Sequence, residues 1–378
     1  MLTKQQIAQA RSLFPVTERL VWFNHAGTGP LPRTAVAAMT RVIERCGREG
    51  EVPYLEAEAA VAETRALLAR LMHVEPQAVA FTKNTSAGII IAISSIEWQA
   101  QDNVVLMQDD FPTVTQPFNY LLPQVAKRWV TSEQLVQGPD AVFRLIDKNT
   151  RAVALSWVHF LSGRRFDVAA ICRFCRERGI ISIVDAIQGL GVVEQDWGRV
   201  PADFVVSHGA KWLLAPQGSG FMSVSPETLP RLRPANLGWL SAQWQEFSDI
   251  FTPKPLKPGA SRFEEGTKNY IGIYGLRESL KVLLGFGIAN IEQRVRHLLS
   301  RLRQKVKAAG FEILTPAESG LNGGILTIRK PGADMAALQE RLTSERFICA
   351  RREGWLRIAP HFYNTEEEID RFVQLLHD

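Results

Sequence analysis

Two residues of this chain have the types and the setting to do chemistry together. An apolar run at 181–184 stops at a carboxylate, Asp185, and a second run at 204–206 ends in Ser207-His208-Gly209-Ala210-Lys211. Short apolar runs bounded by glycine-rich loops read as buried strands. In an open α/β sheet, ligands lie beyond the carboxyl ends of the strands, so an acid at one strand end and an amine just past another face the same ligand. The amine can condense with an aldehyde, and the acid can keep a ring nitrogen protonated. Taken singly, each has a bland reading: Asp185 as a cap or ion-pair partner, Lys211 as a solvated charge. The surroundings favour the pair. Gln188 follows Asp185 by one helical turn, His208 precedes Lys211 by three residues, and Gly218-Ser219-Gly220 leads into a further apolar run at 221–224.

An acid and an amine over one pocket is what pyridoxal 5′-phosphate (PLP) requires: a Schiff base to the amine and a protonated pyridine that acts as an electron sink. The pattern D-A-x-Q-G-x-G at 185–191, D-F-x-x-S-x-x-x-K-W-L at 203–213 and G-x-G at 218–220 resembles the class V aminotransferase family. That family comprises fold-type-I PLP enzymes, among them cysteine desulfurases, selenocysteine lyases, kynureninases and isopenicillin-N-epimerase-like proteins. The resemblance implies an α/β fold with a large PLP-binding domain on a mainly parallel seven-stranded sheet, and a smaller α+β C-terminal domain. The expected limits are an N-terminal arm at 1–20, the large domain at 21–270, and a linking helix with the small domain at 271–378.

The elements that must position the pair follow along the chain. Strand-like and helical patterns alternate from 78 to 224, which argues for a doubly wound, mainly parallel sheet. The run 78–81 leads through Thr82-Lys83-Asn84-Thr85-Ser86 into an apolar helix. A strand, a small polar loop and a helix start make a phosphate site, and equally make a simple N-cap by Thr85 or Ser86. The resemblance assigns Thr85 and Ser86 to the cofactor phosphate, together with His208. It places Phe111 against the ring face and Gln188 on the ring hydroxyl oxygen. It brings Asn24, His25 and Gly27, in a small-residue loop, to the pocket lining. It implies a homodimer in which Thr267, in Arg262-Phe263-Glu264-Glu265-Gly266-Thr267, reaches the other subunit's phosphate. Arg357, in Leu356-Arg357-Ile358-Ala359, is assigned the substrate α-carboxylate, which a planar guanidinium fork matches.

Two departures matter. Phe160 stands where desulfurases carry an Asn, and the segment 351–355, Arg-Arg-Glu-Gly-Trp, lacks their nucleophilic Cys. Cys172 and Cys175 form a C-x-x-C inside a helical pattern with no second ligand pair, so they read as packed thiols rather than a metal or redox site. The expected activity is that of a PLP enzyme on an α-amino acid, of aminotransferase type. β-Elimination from a cysteine derivative and epimerisation are the alternatives, and Lys211 is the freed base in each. A non-catalytic binding module is argued against by the intact Asp185, Lys211 and Arg357. A nucleotide-dependent oxidoreductase lacks its G-x-G-x-x-G at a strand–helix junction.

Composition sets the outer bounds. The 378 residues are 46% hydrophobic and 22% charged, ordinary for a globular protein with length for a large core. A net charge of +5 spread over this length points to anionic small molecules and a solvated surface, not nucleic acid. The basic residues Arg294, Arg301, Arg303, Lys305 and Lys307 read as one solvated helix face. No run approaches the ~18 apolar residues of a membrane span, and the polar start has no signal-peptide core, so a cytoplasmic home is expected.

Overall fold

The computed structural model describes residues 2–246 and 249–376; residue 1 of the expected arm, residues 247–248 and the last two residues of the expected small domain lie outside the described residues. The strands in chain order are β1 (Val21–Trp22), β2 (Val79–Thr82), β3 (Asn103–Met107), β4 (Ala126–Val130), β5 (Thr150–Ser156), β6 (Ile181–Asp185), β7 (Phe204–His208), β8 (Gly220–Val224), β9 (Glu312–Ile313), β10 (Leu326–Arg329), β11 (Phe347–Ile348), β12 (Ala350–Arg352) and β13 (Trp355–Ile358). Seven of them form one sheet in the order β2-β8-β7-β6-β5-β3-β4. Only β8 runs against its neighbours in that sheet; β3, β4, β5, β6 and β7 pair in parallel. The carboxyl ends of β2, β3, β5, β6 and β7 therefore share one edge, and that edge carries the site.

The sheet is covered on both faces, so its strands are nearly continuous apolar runs rather than alternating ones. Successive residues feed two separate cores. Val105, Val153, Val184 and Val205 pack into one, while Val104, Ala152, Ile183 and Val206 pack into the other. Strand β4, Ala-Lys-Arg-Trp-Val, carries no such run and is partly exposed along its length. It is an edge strand, where Lys and Arg guard against pairing with another chain, and this hides it from an apolar-run reading.

Helix Thr85–Ser94 follows β2 and lies close over β7. A Cβ at Gly88 would come within 2.3 Å of Val206 Cγ1, so only glycine lets the helix approach this closely. Its first turn is thereby set above the ends of β6 and β7.

The remaining strands make a four-stranded antiparallel sheet, β12-β13-β10-β9, and a parallel pair, β1 with β11. The N-terminal helix Lys4–Ser12 docks beside them: Arg11 meets Glu368 at 2.7 Å, and the Phe14 ring stacks on Tyr363 at 4.3 Å. Val21 and Trp22, the expected start of the large domain, thus lie against C-terminal elements.

Helix Ile288–Ala308 differs from its expected solvated basic face. Arg294 is buried, where it chelates Glu366 and donates to the Asn364 carbonyl at 2.7 Å. Arg301 pairs with Asp370, and Arg303 donates to the Thr315 carbonyl at 2.8 Å. The acidic first turn of helix Glu366–Gln374 supplies charges that an i, i+4 reading of one helix cannot see.

Candidate active site

At the shared carboxyl edge lies a cavity of about 200 Å³. Thr85, Ser86, Phe111, Asp185, His208 and Lys211, six of the residues singled out from the sequence, line it together. They come from β2, β3, β6 and β7 or the turns just beyond them, which is why residues 126 positions apart in sequence meet.

Asp185 ends β6 and is 2% exposed. Its Oδ1 accepts the Ile187 N–H at 2.9 Å, while Oδ2 is buried with no partner. Burial pushes the carboxyl up to about 6, against the pull of the Ile187 N–H and the Lys211 charge. An unpartnered buried carboxylate oxygen is costly, so it points to a donor that arrives with a ligand.

Lys211 follows β7. Its Nζ lies 5.4 Å from the centroid of the Phe111 ring. Burial brings the ammonium down to about 8; Asp185 opposes this, and Arg357 and Arg352 add to it. At pH 7.5 about a quarter of such an amine is neutral, against about one in a thousand for an ordinary lysine. Site-resolved acetylation of the ligand-free protein will therefore show Lys211 reactivity rising through pH 8. A Lys211 midpoint near 10.5 would contradict this.

The helix start resolves the two readings of Thr85 and Ser86. Asn84 is the N-cap, its side chain accepting the Ala87 N–H at 2.9 Å. Neither expected hydroxyl caps the helix: Thr85 Oγ1 is buried without a partner, and Ser86 Oγ bonds Thr113 Oγ1. Thr85 Oγ1 is thus unpartnered at the positive end of the helix, where an anion is favoured. His208 Nε2 accepts the Gly218 N–H at 3.1 Å, and burial beside Lys211 lowers its ring to about 4, so it is neutral at pH 7.

Phe111, 42% exposed, packs edge-on against Phe160 at 5.4 Å. Sequence reasoning missed what fixes it. Asp110 is buried just before it and accepts from Phe111 N (2.7 Å), Ser156 N (2.8 Å) and Ser156 Oγ (2.6 Å). Burial holds Asp110 up at about 6, and nearby Asp185 adds to this. Ser156 is in register with Asp185, so one serine ties both strand ends. A second carboxylate beside the aromatic was the available signal.

Arg357, on β13, is 3% exposed. Its Nη1 donates to the Phe160 carbonyl at 2.7 Å, and its Nε is buried with no partner. A backbone carbonyl holds the guanidinium whatever the side chain at 160. Burial, with Arg352 adding, lowers it to about 10, and among the described residues no carboxylate pairs with it.

Arg357 and four further expected residues are not among those that line this cavity. His25 is wholly buried, with Nδ1 2.7 Å from the Ala359 carbonyl and Nε2 2.6 Å from the Tyr363 hydroxyl. It ties the loop after β1 to the segment after β13 and does not line the cavity. Asn24 Oδ1 is buried and unpartnered, and a Cβ at Gly27 would strike that side chain, so the loop is shaped round it. Gln188 is buried between Trp212 Nε1, which donates to its Oε1 at 2.8 Å, and the Ala26 carbonyl, which accepts from its Nε2 at 3.0 Å. Thr267 lines a separate cavity with Lys83 and Gly218.

The sequence profile of the aminotransferase class-V family matches residues 21–372. The chain is 29% identical to isopenicillin N epimerase of Streptomyces clavuligerus, over 97% of this chain and 97% of that protein. It shares its fold with the apo cysteine desulfurase of Thermococcus onnurineus NA1 (TM-score 0.87, 19% identity, 100% and 98% of the two chains). It also shares it with the cystine C-S lyase C-DES in complex with its product cysteine persulfide (TM-score 0.89, 22% identity, 97% and 99%). The family's enzymes use PLP, and the residues present suit it. The orphaned Asp185 Oδ2 meets the need of a pyridinium N–H, Thr85 Oγ1 with the free helix start meets that of a phosphate, and the Lys211 amine that of an aldehyde. With the profile spanning nearly the whole chain above such a site, the protein is a PLP-dependent enzyme of the aminotransferase class-V family.

Proposed function

We propose that the chain transaminates an α-amino acid, with Lys211 as both covalent anchor and base. The observation that carries this reading is one amine, Lys211, lining a cavity with an orphaned buried acid, Asp185, and lowered in part by the charge of a buried guanidinium, Arg357, that has no carboxylate partner among the described residues. Bound PLP supplies an electron sink conjugated to the substrate α-carbon.

The chain supplies the rest. Arg357 takes the substrate carboxylate on its fork and fixes the α-carbon. Asp185 Oδ2 accepts from the ring nitrogen and keeps it charged. Thr85, Ser86, His208 and the free N–H groups of helix Thr85–Ser94 hold the phosphate. The second N–H of Gln188 serves the ring oxygen, and Phe111 lies against the ring and excludes water. Lys211 Nζ would take the substrate α-proton and hand it on, along the same face, to the carbon across the amine nitrogen rather than back to the α-carbon. His208 cannot, because its nitrogen already accepts the Gly218 N–H. A single base suits transamination, whereas epimerisation asks for a second proton carrier on the opposite face.

A persulfide route has no support. Burial pushes the Cys172 and Cys349 thiols up to about 12 and the Cys175 thiol higher still. β-Elimination asks for the same base and clamp as transamination, so experiment separates the two. We further read Thr267, placed in a cavity apart from Lys211, as reaching the site of a second copy in a homodimer, and the four free cysteines as fitting a cytoplasmic home.

The test is the visible spectrum of the holoenzyme with L-alanine, L-aspartate, cysteine sulfinate and a cysteine S-conjugate, with pyruvate and sulfide assayed alongside. Transamination predicts loss of the yellow band to the pyridoxamine form. A persisting band while pyruvate accumulates from one cysteine derivative would replace this reading with a lyase.

A further inference from the structure

The hairpin that carries Arg357 carries a second cation that the proposed reaction does not use. Strands β12 and β13 pair Ala350 with Arg357 and Arg352 with Trp355. Arg352 and Arg357 therefore stand on the same sheet face as diagonal neighbours, about 7–8 Å apart at the backbone and within reach of long side chains. The turn between them is two residues, Glu353 (φ 51°) and Gly354 (φ 79°). Two successive positive φ values make the tight turn that matches strand twist, so the pair sits on a short, rigid ribbon rather than a loop. The Arg329 guanidinium over the Trp355 ring, at 4.3 Å, braces that ribbon.

Arg352 is exposed and forms no ion pair among the described residues; its Nη1 donates only to the neighbouring Arg351 carbonyl at 2.9 Å. Its charge is felt in the site, since it helps to lower both Lys211 and Arg357. Arg352 and Arg357 thus stand on one face of the hairpin, neither with a carboxylate partner among the described residues, where one substrate carboxylate is expected. One guanidinium is left over once the α-carboxylate has taken the other.

We infer that Arg352 is a specificity-determining residue that binds the side-chain acid group of the substrate, so that the enzyme prefers amino acids bearing a second carboxylate or sulfinate over neutral ones. This rests on the reading of Arg357 given above. The α-carboxylate occupies Arg357, and the second acid, two or three bonds further along, reaches Arg352. Both contacts are charge-assisted hydrogen bonds.

The test is calorimetric binding of succinate and propionate to the holoenzyme, two unreactive acids of similar length with two and one carboxylates. Succinate is expected to bind about ten-fold or more tightly than propionate. Arg352→Gln is expected to bring that ratio down by about ten-fold, with Arg352→Lys recovering part of it. The ratio of kcat/KM for L-aspartate over L-alanine should move in parallel. A succinate-to-propionate ratio near one, or one that Arg352→Gln leaves in place, overturns the inference while leaving Lys211 and Arg357 in their roles. If neither acid binds and Arg357→Ala changes nothing, the reading of the site fails and takes this inference with it.

Discussion

Lys211→Ala will lower turnover by about 10⁴-fold or more, while the variant still folds and takes up PLP from solution more weakly. The size follows from the two roles that fall on one atom. Removing a positioned base alone costs about 10²–10⁴-fold, and removing the covalent anchor adds the loss of the activated carbonyl. Folding survives because, among the described residues, the Lys211 side chain makes no ion pair or hydrogen bond; its amine is a buried cation that burial itself disfavours. Added methylamine should restore a small part of the activity by replacing the missing amine. Turnover within ten-fold of the parent would remove Lys211 from the chemistry, and a variant that cannot fold would show instead that its stem is part of the core.

Asp185→Asn will separate activity from stability. The buried Oδ2 has no partner in the free protein, and burial raises the carboxyl to about 6. A neutral amide removes the buried charge but leaves its NH2 unpaired and costs the attraction to Lys211, so the stability of the cofactor-free protein should stay within about 1 kcal/mol of the parent. Turnover should fall by about 10²–10³-fold, because an amide does not hold a ring nitrogen charged. Sites tuned for reaction rather than stability show this separation. A variant that loses stability and activity together would make Asp185 a structural residue.

The core of the site was legible because its residues sit at the ends of buried parallel strands. Such strands are largely apolar, so the polar residues that close each run, Asp185 after one and Ser207-His208 after the other, mark the edge where ligands bind. Thr85 and Ser86 were legible as a pair of hydroxyls, but their role depended on which residue capped the helix, and Asn84 does so. Asp110 was not legible: a carboxylate in a turn looks solvated until β3 and β5 close over it and Ser156 donates to it. His25 went the other way. Its loop was found, but a ring clasped between Ala359 and Tyr363 from the far end of the chain cannot be read from neighbours 334 and 338 positions away. The charged face of helix Ile288–Ala308 was misjudged because Lys and Arg read as solvent-facing until their long-range partners are known.

The central claim is that Lys211, and no other of the chain's lysines, holds PLP over Asp185. The most direct measurement is reduction of the yellow holoenzyme with borohydride, followed by digestion and peptide mass analysis. The account predicts one pyridoxyl-phosphate group per chain, on the peptide that contains Lys211. A group found on Lys83 or Lys268, or a colourless protein that gains no mass after incubation with PLP, would contradict it.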